Sequence, residues 1–129
     1  MKPRLVILER GTYTEQHRSA LEKHFHVLTV DSSARPTIVD AINQFQPTAI
    51  LVGLGVMIDE AILTASDKLR WVVSPTTGLD HIDLIQANRL RVKVLTLRDL
   101  TNDISAVSST AELSWGLVLA LARRLTAAH

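Results

Sequence analysis

The segment Thr76-Thr77-Gly78-Leu79-Asp80-His81-Ile82-Asp83 has the residue types and spacing to hold a small anion. It follows an apolar run, Leu69 to Val73, and precedes a helical pattern, so its amides fall between a strand and a helix. Glycine at position 78 permits a backbone path in which successive amides face one ligand oxygen. Asp80 or His81 can cap the helix that follows, and Asp83 falls in its first turn, where negative charge is favourable. The same residues also suit a plain turn and cap. What argues for a ligand is position, because open α/β sheets bind beyond the carboxyl ends of their strands.

Three other groups invite a chemical reading. Gly53-Leu54-Gly55 has the first two glycines of a dinucleotide fingerprint, but Ile58 stands in the third place and no acidic residue closes a second strand at the expected distance. A tight turn with close backbone approach suits these residues better. Gly11-Thr12-Tyr13-Thr14 offers hydroxyls and amides at a helix start, an arrangement that binds anions. It equally makes an ordinary N-cap, which is the favoured reading. His24 and His26 share a face if both lie in a strand, yet a metal needs a third ligand and supporting partners, and none is nearby in sequence. A phosphorelay receiver requires an acidic residue at the end of the third strand, where Gly53 and Leu54 stand instead.

The elements that must position these groups alternate between short apolar runs and longer amphipathic ones. Leu5 to Leu8, Val27 to Val30, Ala49 to Val52, Leu69 to Val73 and Val92 to Leu97 read as strands. Continuous apolar runs of this kind suit strands buried on both faces. Between them, helices are expected from Thr14 to Phe25, with His17, Leu21 and His24 or Phe25 buried, and just after Pro36 to Pro47, with Ile38, Ile42 and Phe45 in register. Thr12 with Glu15 has capping-box spacing. Further helices are expected at 59–66 and at 82–90, the latter with Ile82, Ile85 and Leu90 available to the core. A polar stretch, Arg98 to Ser108, leads to a strongly apolar helix from Ser109 to Thr126. The alternation predicts an α/β domain with a flavodoxin-like parallel five-stranded sheet in the order 2-1-3-4-5, flanked by helices. Ile7, Ile50, Leu51, Val72 and Val94 are expected in its core.

Composition narrows the function classes. The chain has 129 residues, 47% hydrophobic and 21% charged, with a net charge of +1 and no cysteine. That length suits one domain with a core of its own. Scattered basic residues give no nucleic-acid footprint. The apolar runs at Leu5–Leu8 and Leu113–Ala122 are too short for a signal-peptide core or a membrane span. A soluble cytoplasmic protein is expected.

Leu69-Arg70-Trp71-Val72-Val73 followed by Thr76-Thr77-Gly78-Leu79-Asp80-His81-Ile82-Asp83-Leu84 resembles a hallmark of the D-isomer-specific 2-hydroxyacid dehydrogenases. That family includes phosphoglycerate, glyoxylate/hydroxypyruvate, D-lactate and formate dehydrogenases. Its members carry glycine-x-glycine-x-Asp-Asn/His-Ile-Asp after a strand; here Thr76 replaces the first glycine, a departure that would narrow the loop. Val92-Lys93-Val94 resembles the family's next strand. Ser109-Thr110-Ala111-Glu112-Leu113, running on to Leu125, resembles its long interdomain helix.

The resemblance implies a substrate-side lobe at 1–108 and an interdomain helix at 109–129, with the NAD-binding Rossmann domain not on this stretch. It implies that Thr77 and Gly78 supply amides to a substrate carboxylate, beside Thr76, and that Leu54 and Gly55 line the same cleft. Thr110 falls where the helix approaches the nicotinamide. The family's catalytic arginine, glutamate and histidine have no counterpart here, so no catalytic residue is assigned, and no metal. The expected function is the N-terminal lobe of an NAD(P)-dependent oxidoreductase for small 2-keto or 2-hydroxy acids, inactive alone, with NAD or NADP serving the intact enzyme and no cofactor bound to this chain. A homodimer through the C-terminal helix is expected, because Leu113, Trp115, Leu117, Val118, Leu119, Leu121 and Leu125 exceed one buried stripe. A stand-alone binding module of this descent, or a flavin or small-anion binder, are the alternatives.

Overall fold

A computed structural model describes residues 1–8 and 14–100, together with 116 and 118. Five strands form one sheet: β1 (Arg4–Leu8), β2 (His26–Val30), β3 (Ala49–Val52), β4 (Trp71–Ser74) and β5 (Lys93–Thr96). Every pairing is parallel and the order is β2-β1-β3-β4-β5, the flavodoxin-like arrangement expected from the sequence. Among the described residues, helices with defined bounds follow the strands: α1 (Glu15–Glu22), α2 (Arg35–Phe45), α3 (Glu60–Thr64), α4 (Leu84–Arg89) and a short α5 (Leu97–Leu100). Gly116 and Val118 are helical, and the remainder of the expected 109–126 helix lies outside the described residues.

Strand alternation divides the core in two, because neighbouring side chains leave opposite faces of a sheet. Val6, Leu8, Ile50, Val52 and Val72 pack with Ile38 and Ile42 of α2, Ile62 and Leu63 of α3 and Ala87 of α4. Leu5, Ile7 and Ala49 face the other way, onto Leu21 and Phe25. This second face is the more thinly covered among the described residues, since α1 has no fully buried residue. Leu51 belongs to it and is half-buried rather than buried; Val94, on the edge strand, is half-buried for want of a further neighbour. Ile7, Ile50 and Val72 are buried as expected.

Several local expectations are corrected. Thr14, not Thr12, caps α1, and its partner is His17, whose backbone N–H reaches the Thr14 hydroxyl at 3.4 Å while the ring Nδ1 lies 3.4 Å from the Thr14 amide. His17 is therefore exposed; Leu21 packs on the sheet as expected, and of His24 and Phe25 it is Phe25 that joins it. Arg18 and Glu22 form an i,i+4 pair on the outside of α1; the hydrogen bond that Arg18 Nε–H donates to the Glu22 carboxylate, then the carboxylate's charge, raises the Arg18 pKa. Helix α2 begins at Arg35 and takes Pro36 into its first turn, where a missing N–H costs nothing. Ile85 and Leu90 are exposed, and Ala87 is what α4 buries. The polar stretch begins with α5, whose Asp99 accepts from the Thr96 amide at 2.7 Å and hydroxyl at 3.0 Å. Among the described residues no helix is long and apolar enough to cross a membrane.

Candidate functional site

Because β3 and β4 are parallel neighbours, the loops that leave their carboxyl ends emerge side by side. A second device holds them together. Ile58 and Ile82 form an isolated parallel bridge, in which the Ile58 N–H donates to the His81 carbonyl at 2.7 Å and the Asp83 N–H to the Ile58 carbonyl at 2.9 Å. Both isoleucines are buried, with Ile58 fully so. The 53–57 loop and the 75–81 loop thus share an apolar floor while their tips stay open. Leu54, Gly55, Thr77 and Gly78 are exposed and Thr76 is half-buried. The structure therefore brings Leu54 and Gly55 to the same end of the sheet as Thr76, Thr77 and Gly78. Thr110 lies outside the described residues, as do Gly11, Thr12 and Tyr13.

The loop after β4 is braced by its own hydroxyls. Thr76 Oγ1 donates to the Gly78 carbonyl at 2.7 Å and lies 2.7 Å from Ser74 Oγ. Ser74 Oγ is in turn 3.1 Å from His81 Nε2, with Ser74 and His81 both buried. The Thr76 hydroxyl is thus turned onto the loop's own polar atoms, so its place in the family pattern acts as a cross-brace. Among the described residues the Thr77 and Gly78 N–H groups meet no acceptor within the chain. Gly78 does not use left-handed backbone, and a Cβ there would meet nothing within 4 Å. Its glycine is not demanded by conformation; what it contributes is open space beside its amide.

The cap of the next helix is Asp83, whose Oδ1 accepts from the Gln86 amide at 3.0 Å, rather than Asp80 or His81. His81 is instead a core residue. Sequence reasoning missed both Ser74 and its link to His81. The Ser-x-Thr spacing at the strand terminus signals the Ser74–Thr76 contact, two hydroxyls within reach of one turn, and carries no sign of the histidine.

This arrangement can hold and orient an anion by backbone amides. His81 is not an exposed proton carrier, because its ring is buried and its Nε2 is engaged with Ser74; the exposed ionisable side chain of this loop is the Asp80 carboxylate. Among the described residues the cation beside the 53–57 loop is Arg35, which lines a cavity of about 230 Å³ with Gly55 and is paired with Asp59. The same Asp59 caps α3, accepting from the Ile62 amide at 3.2 Å. A carboxylate already occupies the helix start that a dinucleotide phosphate would need, so the Gly53–Gly55 turn does not fit that group. A larger depression of about 540 Å³ lies elsewhere, among Trp71 and Lys93, the first residues of β4 and β5, and Asn88 and Arg91. Among the described residues no three His, Cys, Asp or Glu side chains gather as a metal set.

Comparison with known proteins agrees with this geometry. Residues 5–114 match the family model of the D-isomer specific 2-hydroxyacid dehydrogenase catalytic domain. A glyoxylate reductase of Thermococcus onnurineus is 29% identical over 129 residues, covering 97% of this chain and 36% of that protein. The chain thus spans about a third of the length of this relative. The crystal structure of the PH0520 protein of Pyrococcus horikoshii matches over 99% of this chain and 36% of its own, with a TM-score of 0.73 and 22% identity. An NAD+-bound 3-phosphoglycerate dehydrogenase of Entamoeba histolytica matches over 74% and 33% respectively, with a TM-score of 0.65 and 22% identity. The two structures establish the shared fold, and the family model, spanning most of the chain and including both braced loops, establishes descent: the chain belongs to the D-isomer-specific 2-hydroxyacid dehydrogenase family, through its catalytic domain.

Proposed function

We propose that residues 1–108 are the substrate-side lobe of an NAD(P)-dependent oxidoreductase acting on small 2-keto or 2-hydroxy acids. The Thr77 and Gly78 amides hold the substrate carboxylate, Thr76 shapes their loop, and Leu54 and Gly55 line the opposite wall. The observation that carries this reading is the pair of acceptor-free amides on a loop braced from below and locked to its neighbour through Ile58 and Ile82. A preorganised donor pair suits a carboxylate, because its geometry costs little to assemble on binding. Hydride and proton exchange belong to the cofactor and to groups outside these loops. Residues 109–129 serve as the interdomain helix, with Thr110 beside the nicotinamide of NAD or NADP, and residues 113–125 join two copies in a cytoplasmic homodimer. This lobe alone contributes positioning and does not turn over.

The test is a titration of the 15N-labelled chain with glyoxylate. The Thr77 and Gly78 amides are expected to shift first, followed by Leu54 and Gly55. Shifts confined to Gly11–Thr14, or none at all, would overturn the assignment, the former in favour of a flavin or small-anion site at that loop.

A further inference from the structure

We propose that His81 is a positioning residue for the Thr77 and Gly78 amides, acting through a one-way hydrogen-bond chain that ends on the Gly78 carbonyl. The direction of the chain follows from counting protons. A carbonyl only accepts, and Thr76 Oγ1 has a single proton, so that proton goes to the Gly78 oxygen at 2.7 Å. The 2.7 Å contact between Thr76 and Ser74 must then be made by the Ser74 proton. Ser74 Oγ is left with lone pairs alone for the 3.1 Å contact to His81 Nε2, so Nε2 carries hydrogen. Any reversal leaves an oxygen–oxygen contact of 2.7 Å with no proton in it, inside a part-buried site where unsatisfied polar groups are costly. The remaining ring nitrogen, Nδ1, is buried and has no partner among the described residues, so in the neutral ring it is the bare acceptor.

The ends of this chain are what matter for a ligand. The bond from Thr76 Oγ1 to the Gly78 carbonyl closes a small ring that contains the 76–77 and 77–78 peptides. Those two planes carry the Thr77 and Gly78 N–H groups. Gly78 has the freest backbone in the loop, so a tether on its carbonyl removes the motion that would scatter the donors. At the other end His81 is anchored, since its ring is buried and its carbonyl accepts from Ile58. His81 thereby transmits the rigidity of the inter-loop bridge to the exposed amides without touching a ligand.

The inference rests on the carboxylate-holding reading of Thr77 and Gly78, and its test separates the two. Ring 15N shifts of the histidine-labelled chain at alkaline pH should show hydrogen on Nε2 and a bare Nδ1 for His81. Glyoxylate titration, read at Thr77 and Gly78, should show Kd raised about five-fold in Ser74→Ala and in His81→Leu, the share of one neutral hydrogen bond. His81→Gln places an amide donor at the reach of Nε2 and should restore binding to within about two-fold of the parent. Thr76→Val, at a half-buried position, tests the same chain should a buried variant fail to fold, and is expected to match Ser74→Ala. Hydrogen on Nδ1 with a bare Nε2 overturns the proposal, as does unchanged affinity in a folded Ser74→Ala or Thr76→Val. Absence of any glyoxylate shift in the parent chain overturns the functional reading instead, while the ring shifts still decide the direction of the chain.

Discussion

Ile58 is where the core and the candidate site meet, and truncating it gives the sharpest test of the arrangement. Its side chain is fully buried in the larger cluster, and its backbone is tied at both the N–H and the carbonyl to the loop after β4. Ile58→Val removes one carbon and should cost about 1 kcal/mol; core Ile→Ala changes cost about 2–5 kcal/mol, the spread reflecting how far the surroundings collapse into the void. Here collapse is restricted, because both strands of the bridge are held by hydrogen bonds that the mutation leaves in place. Ile58→Ala is therefore expected near the upper part of that range, about 4 kcal/mol. Leu51→Ala, on the thinly covered face, should cost less, since part of that side chain is already in water. Urea unfolding followed by far-UV circular dichroism gives each value, with the slope against urea unchanged if only the native packing is altered. Domains of this size commonly hold about 5–15 kcal/mol, so the Ala variant remains measurable. An Ile58→Ala cost below about 1 kcal/mol, or a Leu51→Ala cost that exceeds it, would refute the packing described for the bridge.

Gly78→Ala should leave stability within about 1 kcal/mol, because the position needs no left-handed backbone and a methyl has room; the same methyl should weaken the glyoxylate-induced shifts, and tighter binding would contradict an open ligand space there. Asp83→Ala should cost about 1 kcal/mol through loss of the cap on α4, whereas Asp80→Ala should be near neutral by the same urea assay; the reverse ranking would return the cap to Asp80. Sedimentation velocity should show a dimer that dissociates or precipitates when Leu117 and Leu121 are made charged; a monomer at high concentration, with Trp115 shielded inside its own domain, would end that idea.

The contrast between what the sequence disclosed and what it withheld has a physical origin. Strand order was legible because Leu5–Leu8, Ala49–Val52 and Leu69–Val73 are apolar runs too short for helices, and parallel crossovers have one hand. The location of the site followed from the same topology, since Gly53–Met57 and Ser74–His81 had to leave adjacent carboxyl ends. Caps were misassigned by two or three residues, because Thr12 and Thr14, or Asp80 and Asp83, offer the same side-chain chemistry and only the backbone path chooses between them. His17 illustrates the same ambiguity: its spacing with Leu21 suggested burial, and capping geometry drew the ring to the surface instead.

The role proposed for His81 was beyond reach of any pattern, and the reason bears on how such sites are built. A buried histidine is recognisable only through its partners, and Ser74 lies seven residues away across a turn whose course the sequence leaves open. The groups proposed to face a ligand, by contrast, are backbone amides, which carry no side-chain signature at all; glycine at 78 marks them only indirectly. Side-chain identity at this site is thus invested in the bracing, at Ser74, Thr76, His81, Ile58 and Ile82, while the proposed contact is left to the main chain. A cleft made this way tolerates change at exposed positions such as Leu54 or Thr77 more readily than at the buried ones beneath. Variation in substrate preference among proteins sharing these loops is accordingly expected at the exposed wall, and loss of binding at the floor.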